Sequence, residues 1–422
     1  MNVSSQTETR TWIEKEFCPI AYELSHLILD LNLFFYLTHL TTSLSPPLLS
    51  SSPSDQHKKK RAKTMMNMFQ DWPEPVVRVQ SLSESNLETI PGRYIKPPSL
   101  RPTIISDHLH TIPVIDLSSV YTDDITLREE TLAEISRACR EWGFFQVVNH
   151  GVSPRLMERA KEAWREFFHL PMEIKQVHAN SPVTYEGYGS RLGVEKDAPL
   201  DWCDYYFLHY LPSSLKDYTK WPSSPPNCRE IIEDYCKEQV ELCEKLMKIL
   251  SINLGLNEDR LQNAFGGTRN AGACMRVNYY PKCPQPELTL GLSPHSDPGG
   301  LTVLLPDDHV PGLQVRRSDH WVIIKPDPHA LIVNIGDQIQ VLSNAIYKSV
   351  EHRVVVSSAR ERGSLAFFYN PKGDIPMEPL RELLTENSPA FYSPMTFDQY
   401  RLFIRTRGPQ SKSHVDLLRS PR

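Results

Sequence analysis

From residue 111 onward the hydrophobic and polar positions follow two regular patterns. The first is helical. Apolar residues recur at helical spacing over Thr126 to Glu141, and Pro154 to Leu170 is amphipathic, with proline in the first turn. A long stripe through Ile232, Cys236, Val240, Cys243, Met247 and Leu250 predicts a helix over Arg229 to Leu254. Two β-type runs, TIPVIDL (Thr111 to Leu117) and WGFFQVVNHG (Trp142 to Gly151), interrupt the helices. After Ala273 the texture changes to short β-type runs punctuated by Gly, Pro, Asn and Asp. These are CMRVNYYP, LTLGLSPH, LTVLLP, GLQVRR, HWVIIKP, ALIVNIGD, QIQVL, SVEHRVVV and SLAFFYNP. Many short strands with regular turns predict a sandwich or closed barrel. A last helix is predicted near Phe397 to Arg407, where Thr396 and Gln399 form a capping-box pattern. The fold class is therefore mixed α/β: a helical and mixed N-terminal part wrapped around an all-β C-terminal core.

The first 64 residues break these patterns. Ala21 to Leu40 is apolar, but Glu23, Asp30 and two histidines interrupt it, so it makes a poor membrane span. Glu8, Glu14 and Glu16 are wrong for the start of a secretory signal. A Ser/Pro-rich linker (Thr41 to Ser54) leads to the basic run His57 to Lys63, which reads as a solvated tail or a nuclear address. Met65, Met66 and Met68 follow. The expected division is a disordered or artefactual extension over 1–64, a helical and mixed domain over 65–265, and a β domain with its closing helix over 266–422.

Composition narrows the function. A net charge of −5 over 422 residues, with no broad basic stripe in the body, points away from nucleic acid. The eight cysteines form no CxxC pair and read as free thiols of a reducing compartment. The expected location is cytoplasmic, with nuclear entry as the alternative.

The stretch GLSPHSDPGG, Gly291 to Gly300, carries the candidate chemistry. Residues two apart in a strand share a face, so His295 and Asp297 can aim at one point. His352, on the run SVEHRVVV, can supply a third ligand. Two histidines and a carboxylate suit non-haem Fe(II). Zinc accepts the same ligands, and a purely structural set of histidines would look alike. Arg362 and Ser364 share strand parity and make a natural carboxylate clamp, to which Tyr280 can add a hydroxyl. Charge favours the iron reading. Fe(II), the Asp297 carboxylate and dianionic 2-oxoglutarate sum to one negative charge, which Arg362 neutralises; a zinc hydrolase has no need of that arginine.

With these residues the chain resembles the plant 2-oxoglutarate- and Fe(II)-dependent dioxygenases. The resemblance rests on His295-x-Asp297, His352, Arg362-x-Ser364, Asn278-Tyr-Tyr280-Pro and WGFFQVVNHG, and covers roughly residues 70–415. It implies a double-stranded β-helix, or jelly roll, flanked by helices. It implies Fe(II) on His295, Asp297 and His352, and 2-oxoglutarate held by Arg362, Ser364, Tyr280 and Asn278. Ascorbate is the implied reductant. One departure is Gly363, where relatives carry a larger apolar residue; glycine weakens a strand and loosens the clamp.

The stretches WPEPVVRVQSL, IPGRYIKPPSLRP, NSPVTYEGYGSRLGVEK and DWCDYYFLHYLP resemble the jasmonate-induced oxygenases. That resemblance implies O2-dependent hydroxylation of jasmonic acid, with release of succinate and CO2. Flavonoid oxygenases of the flavonol or anthocyanidin synthase type share most of the core and stay as an alternative. A non-catalytic small-acid binding protein is another. Phe368 shares parity with the clamp and occupies a position that contacts substrate in the wider family. A carboxylate substrate needs a cation not already used. Arg276 shares parity with Asn278 and Tyr280. Arg401 and Arg405 share a helix face with Phe397. The sequence carries no signal of oligomeric state.

Overall fold

The computed structural model describes residues 77–102, 112–180, 186–190, 199–327, 329–407 and 413–419, without the side chains of 405–407 and 413. Residues 1–64 lie outside the described residues.

Helix α1 (Ile125–Glu141) starts where the Asp124 carboxylate accepts the Leu127 amide at 3.1 Å. Ser153 caps α2 (Pro154–His169) in the same way, and Pro154 needs no amide partner there. The apolar stripe of α2 buries Leu156, Met157, Ala160, Ala163, Trp164, Phe167 and Phe168. Helix α3 (Cys228–Asn253) lies within one residue of the predicted bounds and packs on α1 and α2.

The strands are β1 (Val114–Asp116), β2 (Phe144–Val148), β3 (Gly187–Ser190), β4 (Asp204–Leu211), β5 (Gly272–Tyr280) and β6 (Leu292–His295). They continue with β7 (Leu301–Leu305), β8 (Leu313–Arg317), β9 (His320–Ile323), β10 (Leu331–Ile335), β11 (His352–Val354) and β12 (Arg362–Asn370). One sheet runs β1-β2-β10-β7-β12-β5-β4-β3 and a second β6-β11-β8-β9. Pairing is antiparallel throughout both, apart from β1 with β2. Phe144 and Ile332 of the larger sheet pack against Leu313, Val315 and Val322 of the smaller, closing a jelly-roll sandwich. The larger sheet draws strands from both sides of residue 265.

The outer face of the larger sheet is apolar and covered by the helices. Met275, Val277, Val303, Leu365, Phe367 and Tyr369 join Trp164, Phe167, Leu246 and Leu250 in one cluster. Removing apolar surface from water at about 25 cal/mol per Å² makes this the main stabilising contact.

Two local expectations are corrected. QIQVL is no strand: Asp337–Leu342 forms a short helix, α4, with all six residues buried. So short a run holds too little of either period to separate strand from helix. His295 and Asp297 do not share a strand either, because β6 stops at His295 and Asp297 lies in the following turn. The closing helix, α5 (Phe397–Arg407), is present with its capping box. The Thr396 amide donates to Gln399 at 3.1 Å, and the Gln399 amide donates to Thr396 Oγ1 at 3.2 Å.

Candidate active site

The register of β6 and β11 sets His295 directly opposite His352, with ring centroids 4.2 Å apart. Asp297 reaches both from the turn. Its Oδ1 lies 3.6 Å from His295 Nε2 and 3.7 Å from His352 Nε2. His295 Nδ1 donates to the Ser293 carbonyl at 2.9 Å and His352 Nδ1 to the Val350 carbonyl at 3.2 Å. A carbonyl only accepts, so each ring keeps a proton on Nδ1 and turns Nε2 toward Asp297 as the atom that can bind a metal once deprotonated. Phe144 packs edge-on against His352 at 5.3 Å.

Asp297 is oriented from behind. Its Oδ2 accepts from Thr302 Oγ1 at 2.6 Å and Asn334 Nδ2 at 2.8 Å, which turns Oδ1 toward the histidines. Burial alone would raise its pKa. The neighbouring His352 and His295, and then those two hydrogen bonds, outweigh burial and hold the carboxyl below its ordinary value. Among the described residues these three are the only group of His, Cys, Asp or Glu gathered closely enough for a metal.

The Pro-Gly-Gly that follows is a packing device. A Cβ on Gly300 would overlap the Phe265 ring, and one on Gly336 would overlap the Gly299 carbonyl. The turn can therefore sit flat against the start of α4, with the Gly336 amide donating to the Gly300 carbonyl at 2.7 Å.

The inner face of the larger sheet continues the site in register. Arg362 faces Tyr280, Ser364 faces Asn278 and Ala366 faces Arg276 across β12 and β5. One strand further, Tyr205 faces Asn278 and Phe207 faces Arg276. The Arg362 guanidinium stacks over Tyr280 at 5.2 Å and donates from Nε to the Val310 carbonyl at 3.1 Å. Burial pushes the Tyr280 hydroxyl well above its ordinary range, so it stays a donor. Arg276 stacks over Tyr205 at 4.3 Å. From α5, Arg401 lies over the Phe397 ring at 5.6 Å. All these side chains border one cavity of about 340 Å³.

That cavity gathers His295, Asp297, His352, Arg362, Ser364, Tyr280, Asn278, Arg276, Arg401, Phe368 and Phe397. Arg405 lies in the last turns of α5, and its side chain falls outside the described ones. The cavity also holds residues that the strand reading passed over: Phe144, Tyr205, Phe207, Thr302 and Asn334. Strand parity on β4 is the signal that could have found Tyr205 and Phe207. Thr302 and Asn334 meet only through the pairing of β7 with β10.

The chain is 71% identical over 363 residues to jasmonate-induced oxygenase 3 of Arabidopsis thaliana, a match spanning 85% of this chain and 100% of that protein. It belongs to the 2-oxoglutarate- and Fe(II)-dependent oxygenases. The signature of the 2OG-Fe(II) oxygenase superfamily covers residues 271–371, and that of the non-haem dioxygenase N-terminal region, named for morphine synthesis, covers 112–227. Flavanone 3-dioxygenase 2 of Oryza sativa subsp. japonica is 41% identical over 346 residues, covering 81% of this chain and 97% of that one. Among solved structures, the chain matches JOX2 in complex with 2OG, Fe and JA at 65% identity and a TM-score of 0.78, covering 83% of this chain and 99% of that one. The rice dioxygenase for auxin oxidation matches at 27% identity and a TM-score of 0.62, covering 73% and 100%.

The donor set of this oxygenase fits its two cofactors. Two imidazoles and one carboxylate leave sites open on Fe(II) for a chelating oxo acid. Arg362 Nη1 and Asn278 Oδ1 are buried without a partner, as expected of groups awaiting 2-oxoglutarate. Arg276 Nε is likewise unpartnered. Among the described residues no helix is long and apolar enough to cross a membrane.

Proposed function

We propose that this oxygenase hydroxylates jasmonic acid to hydroxyjasmonic acid and so inactivates the hormone, damping jasmonate and defence signalling. The observation that carries the reading is the cavity itself. Beside the iron and 2-oxoglutarate groups it holds two further arginines, Arg276 and Arg401, and the apolar walls of Phe144, Phe207, Phe368 and Phe397. A small apolar ring and tail with one carboxylate matches that lining. The 65% identity to JOX2, solved with 2OG, Fe and JA, supports it further. The flavonoid reading has the weaker support of a relative at 41% identity.

In this reading His295, Asp297 and His352 hold Fe(II). Arg362, with Ser364, Tyr280 and Asn278, holds the far carboxylate of 2-oxoglutarate. Bound iron and 2-oxoglutarate supply the chemistry that converts O2 and a C–H bond into an alcohol, with release of succinate and CO2. The chain supplies orientation. Arg276, Arg401 and Arg405 fix the jasmonate carboxylate, and Phe207 and Phe368 hold its ring and tail while excluding water.

A three-part division at residues 64 and 265 belongs to the same proposal. It is supported by the two family signatures falling on either side of residue 265 and by the match of 85% of this chain to a whole relative. So does a cytoplasmic setting, with the basic run at 57–63 as a route to the nucleus. The seven described cysteines, all free, support a reducing compartment.

The test is incubation with jasmonic acid, a flavonoid panel, Fe(II), ascorbate and 2-oxoglutarate, read by mass spectrometry. Gain of one oxygen on jasmonic acid is expected. Oxidation of a flavonoid with jasmonic acid left intact would overturn the reading.

A further inference from the structure

Helix α5, which carries Arg401, and the turn that carries Asp297 meet at one buried oxygen. Asp337, 1% exposed, opens α4 beneath the His295–Asp297 turn. Its Oδ2 accepts from Tyr400 on α5 at 2.7 Å and from Ser296, the residue between the two ligands, at 3.2 Å. The backbone is engaged as well. The Asp337 amide donates to the Asp297 carbonyl at 2.8 Å, and the Gln338 amide donates to the Gly299 carbonyl at 2.9 Å. Gln338 Nε2 donates to the Pro298 carbonyl at 3.0 Å. Tyr400 is itself 1% exposed, directly precedes Arg401, and sits between the cavity residues Phe397 and Ile404.

We propose that Asp337, Tyr400 and Ser296 are positioning residues that couple substrate seating under α5 to metal retention at the His295–Asp297 turn. The inference rests on the reading of the cavity as a jasmonate site. A helix turn moves as a unit, so a shift of Arg401 toward a bound carboxylate carries the Tyr400 hydroxyl with it. That hydroxyl is buried against a carboxylate, and losing the contact would strand a buried polar pair. Asp337 therefore follows, and with it Ser296 and the Asp297 carbonyl. Coupling of this kind is reciprocal: metal binding favours the seated helix, and a seated substrate favours the bound metal.

The test uses the full chain, Mn(II) as a redox-silent ion and saturating 2-oxoglutarate. Calorimetry measures Mn(II) affinity with and without jasmonic acid. In the unaltered protein the acid should tighten Mn(II) by about fivefold or more, the lower end of ordinary coupling. Tyr400→Phe keeps the buried ring and removes only the donor. It should bring the ratio close to one while each ligand alone still binds. Ser296→Ala removes one tie between Asp337 and the turn and leaves the backbone ties, so it should lower the ratio in part, and it reads the coupling should Tyr400→Phe fail to fold. A merely structural contact would weaken both ligands without changing the ratio. Retention of the unaltered ratio in both variants overturns the proposal, as does a ratio of one in the unaltered protein. Jasmonic acid that fails to bind at all overturns the functional reading, and the coupling with it.

Discussion

The two faces of the larger sheet can be compared along a single strand. On β12, Leu365, Phe367 and Tyr369 point into the helices, whereas Arg362, Ser364, Ala366 and Phe368 point into the cavity. The helical face is apolar and closely packed; Tyr369 settles its hydroxyl on Gln262 at 3.0 Å. The cavity face keeps Arg362 Nη1, Arg276 Nε and Asn278 Oδ1 buried without partners. Unsatisfied polar groups are costly in a folded chain, and these three border the cavity, where a ligand can reach them. One face stabilises the fold, and the other spends part of that stability on binding.

The largest effect should come from the metal end of the cavity face. Asp297→Ala removes one of the three proposed ligands and leaves Thr302 and Asn334 without their acceptor. Hydroxylation and succinate formation should both fall below detection, with Fe(II) binding lost in calorimetry. The circular dichroism spectrum of the metal-free protein should be unchanged, because the helical face is untouched. Succinate formation surviving in this variant would remove Asp297 from the ligand set.

Neighbouring phenylalanines separate the two faces most directly. Phe367 is fully buried on the helical side, and Phe368 is half-buried at the cavity. Phe367→Ala should lower stability by about 3–5 kcal/mol, the usual cost of an emptied aromatic site in a core. The molecules that stay folded should keep their KM for jasmonic acid. Phe368→Ala should cost clearly less in stability, since open space already adjoins it, and should raise the KM for jasmonic acid more than that for 2-oxoglutarate. Denaturant midpoints and steady-state kinetics read both. A larger stability loss at Phe368 than at Phe367 would erase the division of labour.

The two faces were unequally legible in the sequence. Strand parity placed Arg362, Ser364 and Phe368 together, because a strand interior has a fixed period of two. The same parity placed Arg276 with Asn278 and Tyr280. The long helices were plain for a similar reason, since their stripes run several turns. Parity fails where the backbone leaves regular structure. Asp297 lies beyond the end of β6, and it meets the histidines through a glycine-permitted turn rather than along a strand. QIQVL was misread because a five-residue run carries too little periodicity to separate strand from helix. Strand β4, with Tyr205 and Phe207, was passed over as an element although DYYFLHYL is rich in the aromatic residues that strands favour. Thr302, Asn334 and the Tyr400–Asp337–Ser296 contact depend on long-range pairing, which no local pattern encodes.

At the substrate end, the arginines test whether the cavity face recognises a carboxylate. A hydrogen bond to a charged group contributes about 1.5–3 kcal/mol. Arg276→Ala and Arg401→Ala should therefore each raise the KM for jasmonic acid by roughly ten- to a hundredfold. The KM for 2-oxoglutarate should stay nearly constant, since the proposed clamp for that acid is Arg362. The methyl ester of jasmonic acid lacks the charge, so its use should be poor from the outset and little altered by either substitution. If the variants treat acid and ester alike, charge recognition by these two residues is refuted.

The smallest effect concerns Gly363, which lies between the two clamp residues on the strand's other side. A Cβ there meets nothing within 4 Å, and the residue is half-buried. Its amide donates to Asp307 Oδ2 at 3.1 Å, a bond that any residue other than proline can make. No left-handed backbone angle requires glycine here. The remaining consequence of glycine is a more mobile unfolded chain and a strand end with less to hold it. Gly363→Ala should thus stabilise the protein by about 0.4–1 kcal/mol. In a chain this large that is a rise in Tm of roughly 1–3 °C, measurable by calorimetric scan. Arg362 is fixed independently by the Val310 carbonyl and the Tyr280 ring. The KM for 2-oxoglutarate should therefore hold or fall slightly as the strand stiffens. A stabilised variant with a clearly raised KM would mean instead that the clamp needs the freedom glycine gives it, and that even the outward side of this strand serves the cavity.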